Sequence, residues 1–522
     1  MSYFTVRNDE VRIGKYRFRT YFWNMGFNEI VVKALWRALV EESGRNAFCI
    51  DGTFFTYRDL AVGVSKIRKA LRSVSSKHIG LVANDDLETY ASILALWFEG
   101  KCYIPLHPGQ PIERCTDIIE QVGITTLLDS GKETRYENIK VVMTQRLSLD
   151  EVSMDIPRSF NDDELAYILF TSGSTGRPKG VPITRGNVAA FIEGFRALGF
   201  RLTADDRCLQ MFDLTFDLSV QSYLLPLLSG ACTYTVTYDR IKYQAVFELL
   251  DDHHLTFTMM VPSVIHYLRP YLDELRIEEL RYSLFAGEGL NLGDVDCWAE
   301  CVPNAEIWNV YGPTECTIYC TGAEYVRGGG NRNVNGIMGI GKAMKDVGTI
   351  VIDDNGRICK PDEKGELCLS GPQLTPGYWG DETKTRAAFF QHAGRRYYKT
   401  GDVCAMNASG DILYYGRKDS QIKIQGYRIE LSEIEHVARK FYNERNAVVA
   451  LPIYDHHHNC QIHLAVEHGK ANSEPELIEY LHRYLPSYMI PVAVHEMKHF
   501  PQNANNKIDR RKIAEYIQKN NK

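Results

Sequence analysis

The stretch HIGLVANDDLETYASILALWFEGKCYIPL, residues 78 to 106, constrains the fold more than any other part of the chain. A short apolar run, a helical segment that Asn84 or Asp85 could cap, a terminating Gly100 and a second apolar run spell strand, helix, strand. Two strands joined by a helical crossover run parallel, and a parallel sheet is covered by helices on both faces. The alternation recurs at AYILF followed by a glycine loop and NVAAFIEGFRAL, and again in FDLSVQSYLLPLLSGACTYTV. The pattern predicts an α/β fold with a largely parallel sheet.

At 522 residues the chain is long enough for several domains. From about residue 340 the sequence shifts to short strand-like runs between Gly, Asp and Pro turns, as in GTIVIDDNGRI and GELCLSGPQ, which predicts a small β-rich subdomain. After GRKDSQIKIQGYR, two Ser-x-x-Glu patterns, Ser432 with Glu435 and Ser473 with Glu476, read as capping boxes that frame a compact C-terminal α/β domain. Sixty basic and 66 acidic residues are dispersed along the chain for a net charge of −6, so no basic tract offers nucleic acid a footprint. No uncharged apolar run is long enough to span a bilayer, and the first twenty residues carry charges throughout with no apolar h-region, which predicts a cytoplasmic protein without a membrane partner. Thirteen cysteines without a CxxC pair predict reduced thiols. His456, His457, His458 and Cys460 read as a solvated loop, because ligands so close in sequence seldom complete a tetrahedral metal site.

The segment TSGSTGRPKG, residues 171 to 180, follows the strand AYILF directly. Its glycines, hydroxyl residues and single lysine can turn backbone N–H groups toward a polyphosphate, with Lys179 as a point charge. The order of residues differs from a Walker A loop, and composition alone leaves a plain Ser/Gly surface loop open. The segment resembles the signature of the adenylate-forming (ANL) superfamily, which holds acyl-CoA synthetases, luciferases and nonribosomal peptide synthetase adenylation domains. Further blocks match in the same order: CYIPLHPGQPIER, FDLSV, NVYGPTE, GELCLSGPQLTPGYW, YKTGD, GRKDSQIKIQGYRIE and NNKID. The resemblance implies a large N-terminal adenylate-forming core over residues 1–418, made of two α/β subdomains and a small β-rich one, and a small mobile C-terminal α/β domain over 419–522.

A carboxylate attacking the α-phosphate of ATP needs no general base, so catalysis reduces to positioning and charge neutralisation. By resemblance, Thr171, Ser172, Ser174, Thr175 and Lys179 hold the β- and γ-phosphates, Thr314 touches the α-phosphate and Glu315 takes Mg²⁺. Adenine lies against Tyr311 and the backbone of Gly287, Glu288 and Gly289, with Asn309 beside it, while Asp402 and Arg417 meet the ribose. Lys507 becomes the catalytic cation between the attacking carboxylate and the α-phosphate. Asn506 stands where the family has glycine, and asparagine tolerates the left-handed backbone that such a turn needs. Asp419 is the hinge about which the C-terminal domain rotates, bringing Gly426 to the site to admit a phosphopantetheine thiol.

The resemblance also bears on the acid. Asp217 in FDLSV matches the aspartate that pairs with the α-ammonium group of an amino acid substrate, a cation that needs a carboxylate when buried; the alternative is a helix cap. Leu218, Gln221, Met259, Leu284, Ala286, Val310, Ile318 and Tyr319 would line a mainly apolar pocket, which suits a compact amino acid with proline or alanine favoured. The FDLSV and GEGL blocks are also similar to D-alanine carrier-protein ligases, although Ala286 stands where those have cysteine. The chain ends without a carrier-attachment motif and contains no condensation motif. The expectation is a free-standing amino acid–carrier protein ligase using ATP and Mg²⁺ and loading a separate phosphopantetheinylated carrier in trans. The alternatives are an acyl- or aryl-CoA ligase of the same superfamily and a non-catalytic nucleotide-binding relative.

Overall fold

The structure is a computed structural model that describes residues 10–13, 16–19, 26–148, 155–157, 159–173, 177–418, 421–443, 446–454, 460–467, 474–502 and 508–520. Ser174, Thr175, Asp419, His456–His458, Ser473 and Lys507 therefore lie outside the described residues.

The stretch that constrained the fold forms strand His78–Val82, helix Leu87–Phe98 and strand Cys102–Leu106, and the two strands are parallel neighbours. The helix is capped by Asp86, not by Asn84 or Asp85: the Asp86 carboxylate accepts from the Thr89 N–H, while Asp85 has a left-handed backbone and is buried. Gly100 follows the helix with φ +68°, as a terminator should. The sheet built on these strands has six members and ends on the antiparallel hairpin of Leu165–Thr171 with Lys179–Thr184. The glycine loop thus closes a hairpin. A second strand, which the sequence reading passed over, lies between it and helix Arg185–Ala197.

A nine-stranded sheet forms the second α/β layer, with parallel central strands Glu306–Tyr311, Tyr282–Phe285, Phe257–Met260, Arg207–Gln210, Cys232–Thr235 and Asn46–Ile50 in that order. Its strands read as near-continuous buried runs, as helices packed on both faces require. One contiguous apolar core joins this sheet to the helices it shares with the first, including helix Leu87–Phe98, buried from Thr89 to its end. The β-rich region is an antiparallel sheet of Gly348–Ile352, Lys364–Ser370, Arg395–Met406, Phe389–His392 and Ile412–Arg417 around its own core.

Beyond it, hairpin Gln421–Ile424 with Tyr427–Glu430 leads into helix Leu431–Phe441, a three-stranded sheet and helices Glu474–Tyr484 and Arg510–Asn520. The hairpin turns on Gln425 and Gly426, both with positive φ, the geometry of a tight two-residue β-turn. The capping box at Ser432 does not form. The helix starts two residues earlier than that cap requires, with Glu430 at its cap position making no side-chain cap, and Glu435 instead accepts from the Ala450 N–H and pairs with Arg510.

Candidate active site

The glycine loop brings three elements together. Lys179 opens its strand in register with Thr171, and a side chain on Gly173 would come within 2.0 Å of the Arg177 carbonyl, so Gly173 and Arg177 approach at a separation only glycine permits. The Lys179 ammonium lies 3.2 Å from Glu315 Oε1 and 4.4 Å above the ring centre of Tyr378. Ser172 Oγ donates to the Arg428 carbonyl at 2.7 Å and accepts from the Glu430 N–H at 3.1 Å. The Gly173 N–H donates to Glu433 Oε2 at 3.0 Å.

Thr314 and Glu315 sit in the short turn Thr314–Cys316 that follows strand Glu306–Tyr311. Glu315 is fully buried, and its two oxygens take Lys179 and the Tyr378 hydroxyl on one side and Arg428 at 2.8 Å on the other. Burial works to raise its pKa, but the Arg428 and Lys179 charges win and hold the carboxyl well below the usual carboxylate range. Burial likewise pushes the Lys179 ammonium below its ordinary value. One ionised carboxylate beside a glycine-rich loop is a donor set that would suit Mg²⁺, which takes one or two protein carboxylates and completes its shell with other oxygens. Arg428 occupies one of the carboxylate oxygens in this arrangement.

A cleft of about 1060 Å³, at the upper end of the range for small-molecule sites, runs between Gly287–Gly289, Asn309–Gly312 and the hairpin that carries Lys423. Tyr311 donates its hydroxyl proton to Asp402 Oδ2, and Arg417 meets Asp402 Oδ1 at 3.1 Å. The Asn309 amide donates to the carbonyls of Met338 and Gly339, so it braces the cleft wall. Gly287 has φ +91° and faces the Gly426 Cα, while Glu288 accepts from the N–H groups of Gly426 and Ser263.

Asp217 opens helix Asp217–Leu228 and is 5% exposed. Burial raises its pKa to about 6, against the pull of the Thr314 hydroxyl and Lys423. Phe216 is the cap residue, so Asp217 is the first helical residue rather than the cap. Leu218, Ala286 and Ile318 line a narrow cavity with Asp217 and Thr314. Met259, Leu284, Val310, Tyr319 and Gln221 are buried and are not among the residues that line it. Two of these depart from the apolar expectation: the Gln221 amide and the Tyr319 hydroxyl have no hydrogen-bond partner among the described residues.

From Gly426 a second cavity of about 260 Å³ passes Phe216, Val261 and Tyr427 toward exposed Arg240. A side chain on Gly426, whose φ is +82°, would meet Val261 Cγ1 at 2.6 Å.

The sequence reading missed Arg428, Lys423, Tyr378, Glu433 and Arg114. Lys423 is half-buried near Asp402 and Asp217, its pKa pushed down by desolvation, and lies 5.8 Å above the Tyr311 ring. Arg428 and Lys423 stand inside the block GRKDSQIKIQGYRIE, and a basic residue flanking Gly426 on each side was the available signal.

The sequence pattern described as "AMP-binding enzyme" matches residues 35–379. A D-alanine–D-alanyl carrier protein ligase from Bacillus velezensis is 32% identical over 431 residues, 80% of this chain and 85% of that protein. Tyrocidine synthase 2 from Brevibacillus parabrevis is 28% identical over 510 residues; the match takes in 94% of this chain and only 14% of that much longer protein. Among solved structures, the Vibrio cholerae adenylation domain AlmE in complex with glycyl-adenosine-5′-phosphate superposes with a TM-score of 0.83 at 26% identity, covering 93% of this chain and 97% of that one.

Proposed function

Because the chain belongs to the AMP-binding enzyme family, within the adenylate-forming superfamily, we propose that it activates a compact amino acid as its aminoacyl adenylate and passes the aminoacyl group to the phosphopantetheine thiol of a separate carrier protein. The observation that carries this reading is the Thr314–Glu315 turn. Its glutamate meets Lys179 of the glycine loop and its threonine lines one cavity with Asp217, so two adjacent residues join the phosphate end of the site to the acid end.

In the first step a carboxylate oxygen of the amino acid attacks the α-phosphorus of ATP, the bond to the bridging oxygen of the β-phosphate breaks, and pyrophosphate leaves with both electrons of that bond. Lys179 and the loop N–H groups neutralise the departing charge, and Thr314 orients the α-phosphate. Glu315 would hold Mg²⁺, which would neutralise phosphate charge. Asp217 pairs with the α-ammonium, and Asp402 with Arg417 fixes the ribose. Lys507, delivered by the C-terminal domain turning about Asp419 from the core 1–418, bridges the two reacting groups. In the second step the carrier's sulfur attacks the acyl carbon, the bond to the AMP oxygen breaks, AMP leaves and the thiol proton passes to solvent. The cavity beside Gly426 supports this route: it leads to Arg240, which pairs with Glu248 here and whose guanidinium could turn to the phosphate of a pantetheine arm.

Proline or alanine suits the narrow, mainly aliphatic cavity around Leu218, Ala286 and Ile318. Amino-acid-dependent ATP–pyrophosphate exchange tests the reading across the amino acids, with benzoate and a short fatty acid as comparators. Exchange with an amino acid alone supports it; exchange only with an acid lacking the ammonium group would replace it with a CoA-ligase reading. A preference for serine over alanine would move the side-chain choice to one that pairs with Gln221 and leave the amino acid reading intact.

A further inference from the structure

The helix after the Gly426 hairpin places an acid where the proposed function puts phosphate, and the inference rests on that proposal. The Gly173 N–H belongs to the loop assigned to the β- and γ-phosphates, yet it donates to Glu433 Oε2 at 3.0 Å. The other oxygen of that carboxylate, Oε1, accepts from Arg114 at 2.6 Å. The two side chains are 1% and 5% exposed. Beside them Ser172 bridges the backbone of Arg428 and Glu430, and the Arg428 guanidinium occupies Glu315 Oε2 at 2.8 Å. Groups assigned to the triphosphate and its metal ion are therefore met by the C-terminal segment in kind: an N–H by a carboxylate, and the Glu315 carboxylate by a guanidinium in place of the cation.

Two anions cannot share one buried N–H, since each would lose its hydrogen bond and gain a like-charged neighbour. We propose that Glu433 is a built-in substitute for pyrophosphate: its carboxylate takes the Gly173 N–H once pyrophosphate has left, Arg114 supplies the counter-charge that keeps it there, and docking of the C-terminal segment in this orientation is thereby tied to release of the first product. Glu433 acts through the loop and touches no reacting atom, so it is a positioning residue. The pairing is anchored on the core side by Arg114, which lies in helix Ile112–Val122 and so stays in place while the C-terminal segment comes and goes.

The test uses the full chain and inorganic pyrophosphate with Mg²⁺, without amino acid or ATP. Pyrophosphate affinity is measured by titration calorimetry, and docking by hydrogen exchange across residues 421–430. In the unaltered protein, pyrophosphate should raise exchange in that hairpin. Glu433→Gln removes the competing charge and should bind pyrophosphate about tenfold more tightly, because the docked form no longer withholds the loop. Arg114→Gln strands the Glu433 charge and should also tighten binding, whereas an arginine that merely adds positive charge near the loop would show weaker binding when removed. Unchanged affinity in Glu433→Gln, weakened affinity in Arg114→Gln, or a hairpin that does not respond to pyrophosphate would each overturn the inference. If the unaltered protein bound no pyrophosphate, the phosphate-loop reading would fall with it; binding with unresponsive variants would sink the inference alone.

Discussion

Replacing Asp217 with asparagine should destroy recognition of the amino group while making the empty protein more stable. The carboxyl is buried, and burial moves its pKa from the ordinary 3.8 to about 6. At 1.36 kcal/mol per pH unit, that gap is a cost of about 3 kcal/mol for holding the ionised form in the folded protein. The sign follows from the raised value. Below pH 3.8 the acid is neutral folded and unfolded and the cost is absent; it grows as pH rises through the interval and is complete above about 6. A bound α-ammonium offsets it, and removing one partner of such a buried pair costs about 3–5 kcal/mol. Asp217→Asn should therefore lower kcat/KM for the amino acid by about 100-fold or more, measured by pyrophosphate exchange, yet leave the activity toward the matching des-amino acid within a few-fold. In the unaltered enzyme, kcat/KM should fall about tenfold per pH unit below pH 6 as the acid protonates, and the variant should lose that limb. Thermal unfolding at pH 8 should show the variant more stable, with the advantage shrinking as pH drops through 6. An equal loss toward the amino acid and its des-amino analogue would refute the reasoning, because that outcome belongs to a residue that only supports the start of helix Asp217–Leu228.

Three further outcomes test other parts of the site. Lys179→Met breaks a buried ion pair with Glu315, so pyrophosphate exchange should fall at least about 100-fold, corresponding to roughly 3 kcal/mol; near-normal exchange would remove Lys179 from the phosphate site. Gly426→Ala forces a side chain onto Val261 at a positive φ and should impair carrier loading far more than exchange, and adding Val261→Ala should restore part of the loading; equal loss in both steps would deny the Gly426 turn a separate role. A thiol reagent should label no more than Cys297, Cys359 and Cys460 quickly in the native protein, since the other ten cysteines are buried, and all thirteen after denaturation.

The strand–helix–strand unit at 78–106 and the β-rich region after 340 were legible because each rests on local spacing, which a linear reading can follow. Local reading failed where several residues compete for one role. Asn84, Asp85 and Asp86 could each cap the helix, and only the path of the chain selected Asp86. Ser432 satisfied the capping-box spacing, but Glu435, the residue meant to complete it, is held by Ala450 and Arg510 across the C-terminal domain.

What the sequence determined by itself is the chemistry available: a lysine in a glycine loop, a glutamate in a tight turn and an aspartate opening a helix, each declared by its neighbours. What only the tertiary structure decided is which charges meet. Arg114 and Glu433 are 319 positions apart, and Arg428 reaches Glu315 across 113. Neither pairing leaves a mark on local periodicity, because the interaction of two buried charges depends on their separation in space and on the exclusion of water, and both arise only when the C-terminal hairpin and helix pack against the glycine loop.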